Sequence, residues 1–202
     1  MMRLNRTRVC ICTQGRADHD AWRQWCQAMV RTGAGLIMIS GTPDDGRLDD
    51  WASAGRQVAG TALVGVAEPV DPAVPADVIH LTAAWHRPTW PGRLTGCEVS
   101  SEAGVDAAVQ AGCAYVVADC RVPGLVGQVA ESARRHPGLV WFVSGCASLA
   151  QLKEAVGAGA RRVWMKPALE ASVGEWSGYL RQVWQIDPDM GGLNRLRREA
   201  SR

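Results

Sequence analysis

The sequence predicts an α/β chain closed into a compact (β/α)8 (TIM) barrel. Eight short apolar runs are spread along the chain, and most are followed by a stretch of helical periodicity. Repeated strand–helix units of this length favour a parallel sheet, and eight in one domain favour closure. An open doubly wound sheet of flavodoxin type would leave strands over. At 202 residues the chain is near the lower size limit for such a barrel. Two proline-rich connections, after strands three and four, read as short or missing helices and explain how eight strands fit.

Taken in order, RVCICT (8–13) is the first strand. A helix over about 19–32 follows, with Asp18 or Asp20 as its N-cap and Trp22, Trp25, Cys26 and Met29 at spacings of three and four. GLIMIS (35–40) is the second strand, GTPDDGR a turn, 48–58 a helix and TALVGV (61–66) the third strand. AEPVDPAVPA holds three prolines and is read without a helix; DVIHLT (77–82) is strand four and AAWHRPTWPG again a loop. LTGCEVS (94–100) is strand five, followed by a helix that Ser100 or Ser101 caps. AYVVADC (114–120), LVWFVS (139–144) and RRVWMKP (161–167) are strands six to eight, with helices between them. A last amphipathic helix covers 171–185, with Trp176, Leu180, Val183 and Trp184 on one stripe. Residues 1–186 are expected to form one domain, and 187–202 a polar tail without a packing pattern.

Composition sets limits on partners. A net charge of +2 is too small to predict a nucleic-acid partner, and the arginines near both ends (Arg3, Arg6, Arg8; Arg195, Arg197, Arg198, Arg202) read as solvated tails. No run approaches the roughly 20 apolar residues of a membrane span, and the first residues lack a signal-peptide apolar core. The chain is expected to be cytoplasmic, with its seven cysteines as thiols. No Cys-x-x-Cys pair is present. A homo-oligomer is left open.

The second half carries a resemblance. DVIHLT looks like a strand that reads Asp-Gly-Val-His-Leu-Gly in the thiamine-phosphate synthase and thiazole tautomerase family. TGCEVSSEAGVDAAVQAGCAYVVAD is similar to that family's passage from Gly-x-Ser through a helix to Gly-Ala-Asp-Tyr-Val, and WFVSGCASLAQLKEAVGAGARRVWMKP to its seventh strand, Gly-Gly-Ile turn and following helix. The likeness spans roughly residues 77–170; residues 1–76 agree by topology only. It implies a compact barrel of thiamine biosynthesis that acts on, or binds, a small phosphorylated heterocycle. Magnesium is implied only for the synthase reaction.

The departures bear on that chemistry. Where the synthases place Gln-x-Arg-x-Lys after strand two, this chain reads MISGTPDDG, without basic residues. Where they place acidic groups after strands three and four, it reads GVAEP and AAWHRP; Asp44, Asp45 and Asp71 are nearby but occupy no matching place. The tautomerases use a histidine after strand six, where this chain has Asp119 and Cys120. If the chain is catalytic, these departures favour proton transfer or a cysteine-dependent variant over diphosphate displacement, with Asp119, Cys120 or Glu98 as the catalytic candidates.

Ligand-binding candidates come from the turns after strands seven and eight, where barrels often cradle phosphate on backbone N–H groups. These are Ser144, Gly145, Cys146 and Lys166, with His80 in strand four. Pro167 has no N–H to give, and the Lys166 charge offsets that. Lys166 alternatively forms an imine if buried, or is a solvated rim residue. Trp85, His86, Arg87, Trp90 and Arg93 suggest a lid. Cys12, Cys97, Cys120 and Cys146 fall at or near strand ends; they are read as small packing groups, as a reactive thiol, or as soft-metal ligands. A non-catalytic barrel that binds a ligand or partner protein is the alternative of a different class.

Overall fold

The computed structural model describes residues 2–14, 18–40, 48–68, 73–82 and 92–186. Eight parallel strands close in sequence order into one barrel: β1 (Val9–Thr13), β2 (Leu36–Ser40), β3 (Leu63–Ala67), β4 (Val78–Leu81), β5 (Leu94–Val99), β6 (Tyr115–Asp119), β7 (Val140–Ser144) and β8 (Val163–Met165). β1 closes the ring against β8, with Val9 opposite Val163 and Ile11 opposite Met165. The connections carry α2 (His19–Thr32), α3 (Leu48–Val58), α4 (Glu102–Gln110), α5 (Leu125–Arg135), α6 (Leu149–Gly157) and α7 (Val173–Ile186). Among the described residues no helix joins β3 to β4 or β4 to β5, as the prolines predict. The tail from 187 and the Trp85–Trp90 segment lie outside the described residues.

Local chemistry accounts for the helix ends. Asp18, Ser101 and Ser148 each accept the backbone N–H three residues on, from Ala21, Gly104 and Gln151. Gly33 ends α2 at φ 115°, a left-handed conformation that glycine adopts without a Cβ penalty. The last helix begins two residues later than the periodicity predicts. Pro167 opens a 3-10 turn over Pro167–Ser172 first, because proline suits the first position of a helical turn.

The pleat sorts strand side chains into two layers. Outward residues such as Ile11, Val64, Val116, Trp141 and Val143 pack under the helices with Trp22, Leu152 and Trp176. Inward residues form a second cluster: Cys10, Leu36, Met38, Leu63, Val78, Tyr115, Val117, Val140, Phe142 and Trp164. Space inside is tight. A Cβ on Gly96 would overlap the Tyr115 ring, so glycine at that register position is what admits the ring.

The amino-terminal end is plugged, which corrects the reading of Arg3 and Arg8 as part of a solvated tail, while Arg6 is exposed. A short helix, α1 (Met2–Asn5), inserts Leu4, fully buried, into the inner cluster. Arg3 donates to the carbonyls of Gly60 and Thr61, at 3.3 and 3.1 Å, and to that of Ala62. Arg8 and Arg162 lie over the Trp184 ring, 5.4 and 4.9 Å from its centroid. Four residues are too few to show periodicity, so α1 left no pattern to find.

Candidate functional site

The strand carboxyl ends form the opposite, polar end of the barrel. Asp119 ends β6 in register with Ser144 at the end of β7. Arg121, two residues past Asp119, folds back onto it. The Arg121 Nε lies 2.9 and 3.0 Å from the two carboxylate oxygens, Nη2 bonds Oδ2, and the Arg121 backbone N–H donates at 2.9 Å. This fork holds the Asp119 carboxyl below the usual carboxylate range; the Lys166 charge acts in the same direction as a lesser cause. Asp119 is therefore an ionised group that orients Arg121, and a weak base.

Gly145 turns the chain after β7 at φ 82°. A Cβ there would overlap Asp119 Oδ1 and come within 3.1 Å of Arg121 Nε. The bare backbone of Gly145 thus lies against the charged pair. Lys166 follows β8 and is exposed. One backbone donor beside the turn is already taken: Ala147 N–H goes to Gln151 Oε1 at 2.7 Å.

Glu98 is the exposed member of an otherwise largely buried β5. Its register partner is Val117, an inward residue, so its side chain points into the barrel's polar end. Its charge acts on Arg121. Glu68, exposed after β3, accepts from Thr82 Oγ1 at 2.6 Å and from the Thr82 N–H.

His80 forms the floor. It is 7% exposed, its ring lies 4.6 Å from that of Trp164, and its Nδ1 shares a 3.2 Å hydrogen bond with the Tyr115 hydroxyl. Burial pushes its pKa down to about 4, against the opposing charge of Glu68. The ring is neutral near pH 7 and is placed as a packing group with a hydrogen bond.

The cysteines divide differently from their spacing along the chain. Only Cys10 and Cys12 face the barrel interior. Cys97, in register with Val116 and Trp141, faces the helices and contacts Cys113 at 3.9 Å. Cys146 also packs into the helix-side layer, with Cys120 against it at a sulfur–sulfur distance of 3.6 Å. The four thiols expected at the mouth do not gather at one point: Cys12 faces inward, Cys97 lies beside Cys113, and Cys120 lies beside Cys146. No group of three His, Cys, Asp or Glu side chains is arranged for a metal among the described residues. Among the described residues, Asp119 is already forked by Arg121 and Glu68 Oε1 is taken by Thr82; Asp44, Asp45 and Asp71 lie outside the described residues.

Sequence reasoning missed Arg121. The signal was Asp119-x-Arg121 just beyond a strand end, a spacing that lets a long side chain return to the carboxylate. A cavity of about 330 Å3 lies at the amino-terminal end, away from these groups. Its charges are satisfied internally: Arg3 by carbonyls, Arg56 by Asp77 at 3.3 Å.

No family model matches the chain, and no curated protein matches it. Solved structures do. A thiamine phosphate pyrophosphorylase from Pyrococcus furiosus is similar over 91% of this chain and 97% of its own, at 18% identity and a TM-score of 0.66. A 2-keto-3-deoxy-6-phospho-gluconate aldolase from Zymomonas mobilis is similar over 87% and 95%, at 12% identity and a TM-score of 0.63. At these identities the likeness shows the fold alone, a (β/α)8 barrel. No helix among the described residues is long and apolar enough to cross a membrane.

Proposed function

We propose that this barrel binds a small phosphorylated heterocycle, of the thiamine-related kind implied by the resemblance, at the carboxyl ends of its strands. The observation that carries the reading is the Arg121–Asp119 fork lying on the bare backbone of Gly145, with Lys166 on the neighbouring strand end. A guanidinium already oriented by a carboxylate presents its remaining N–H groups to an anion at low entropic cost. Lys166 adds a point charge.

If catalytic, the site transfers a proton. Glu98 is the catalytic candidate best placed for this: an exposed carboxylate on the inner face of β5, near Arg121. Asp119 serves to orient Arg121, and Cys120 and Cys146 stand outside the step because they pack toward the helices. His80 and Ser144 shape the floor and the rim.

Two measurements test the reading together. Calorimetric titration with a thiazole phosphate should show one site, weakened at least about tenfold in Arg121→Ala and in Lys166→Ala. Glu98→Gln should bind normally and lose turnover. Absence of binding by the unaltered protein would end the proposal. Magnesium-dependent formation of thiamine phosphate from its two phosphorylated precursors would replace proton transfer with synthase chemistry.

A further inference from the structure

We propose that Cys120 and Cys146 form an oxidative modification site, converted by a peroxide into a disulfide that staples the ends of β6 and β7. The backbone already holds the two residues together. Asp119 and Ser144 are register partners, and Cys120 N–H donates to Ser144 O at 2.9 Å. The two sulfurs touch at 3.6 Å. A disulfide would bring them to roughly 2.05 Å.

Access distinguishes this pair from the buried pair Cys97 and Cys113; Cys10 and Cys12 interact as a third pair, on the inner face of β1. Cys120 is half-buried, so a small oxidant reaches it, whereas Cys146 is 6% exposed and stands behind it. Cys97 and Cys113 are similarly close at 3.9 Å but are 0% and 8% exposed, and neither offers an entry point.

The chemistry balances with hydrogen peroxide as the oxidant. The Cys120 thiolate attacks one peroxide oxygen; the S–O bond forms, the O–O bond breaks, and hydroxide leaves to be protonated to water. Cys146 sulfur then attacks the Cys120 sulfenic acid; the S–S bond forms, the S–O bond breaks, and the second hydroxide takes the Cys146 proton. Two thiols and one peroxide give one disulfide and two waters. In the reduced pair, burial and then the neighbouring Cys120 push the Cys146 thiol up to about 12. The bond would enclose residues 121–145, placing Arg121 and Gly145 just inside the two ends of the covalent loop.

The test uses the full chain in its native state, treated with hydrogen peroxide, then denatured, alkylated and mapped by mass spectrometry. Cleavage before aspartates and after basic residues isolates Cys120 in the peptide 119–121, apart from Cys113. The expected result is a link between that peptide and the one bearing Cys146, with Cys97 and Cys113 recovered as alkylated thiols. Cys146→Ser should lose the link entirely and accumulate Cys120 sulfenic acid, trapped by a 1,3-diketone. The proposal is overturned if the unaltered protein shows no oxidation at Cys120, if Cys120 proceeds to sulfinic acid without a link, or if Cys97 and Cys113 join as readily. The mapping of the unaltered protein decides the matter even if the variant does not fold, and it is independent of the ligand proposed above.

Discussion

The two ends of this barrel solve opposite problems with the same strands. At the amino-terminal end Leu4 inserts into the interior and Arg3 is consumed by three carbonyls. At the carboxyl-terminal end Arg121 is held by a single carboxylate and its side chain remains 64% exposed. Both use arginine, but one is spent on sealing the fold and the other keeps N–H groups for solvent or ligand. Between them, His80, Tyr115, Phe142 and Trp164 form an aromatic floor, with neighbouring ring centroids 4.6 to 6.0 Å apart. The difference teaches that conformational stability resides in the lower part and the middle, and that the upper rim is freer to change chemistry.

The largest effect that would break this contrast belongs to the floor. Tyr115→Ala opens a cavity beneath His80 and should cost about 3–5 kcal/mol in urea unfolding. A much smaller loss would mean that the floor is loosely packed. Next comes pH. The folded His80 pKa of about 4 lies below the usual value of 6.5, so the unfolded chain binds a proton first as pH falls. Stability from this group is fully present above about pH 6.5, is lost as pH falls toward 4, and is level below that, a change of about 3 kcal/mol. His80→Phe should flatten that stretch of the unfolding profile.

At the rim the effects on stability should shrink while those on binding grow. Gly145→Ala places a Cβ at positive φ and against Asp119. It should cost about 1–2 kcal/mol in thermal or urea unfolding and abolish the Arg121 geometry, read as lost phosphate affinity. Arg121→Ala removes an exposed pair and should leave the urea unfolding midpoint essentially unchanged, while anion binding falls. If its stability loss matched that of Tyr115→Ala, the contrast between the two ends would be wrong.

Much of this was legible beforehand, for identifiable reasons. α2 keeps its predicted bounds because apolar spacing, the Asp18 cap and Gly33 all agree, and α3 also keeps its bounds. The strands could be placed but their facing could not. Strands buried on both sides read as continuous apolar runs, so nothing near Cys97 shows that it faces α4 while Glu98 faces inward. Position at a strand end therefore groups Cys12 with Cys97, Cys120 and Cys146, whereas the pleat turns Cys12 inward and the other three toward the helices. Arg121 was hidden for another reason: its role arises from a side chain turning back two residues, which no periodicity records.

Closure of β1 against β8 has a further consequence for how the chain comes into being. Val9 cannot meet Val163 until most of the sequence has been synthesised, so an emerging chain carries β1 as an uncovered sheet edge throughout. The hydrogen bond from Trp25 Nε1 to Glu170, at 2.8 Å, joins the same distant parts of the chain. Assembly of this protein therefore finishes at its seam. Any change that weakens β8 or the turn after it should be felt first as aggregation during synthesis, before it is felt as a loss of equilibrium stability.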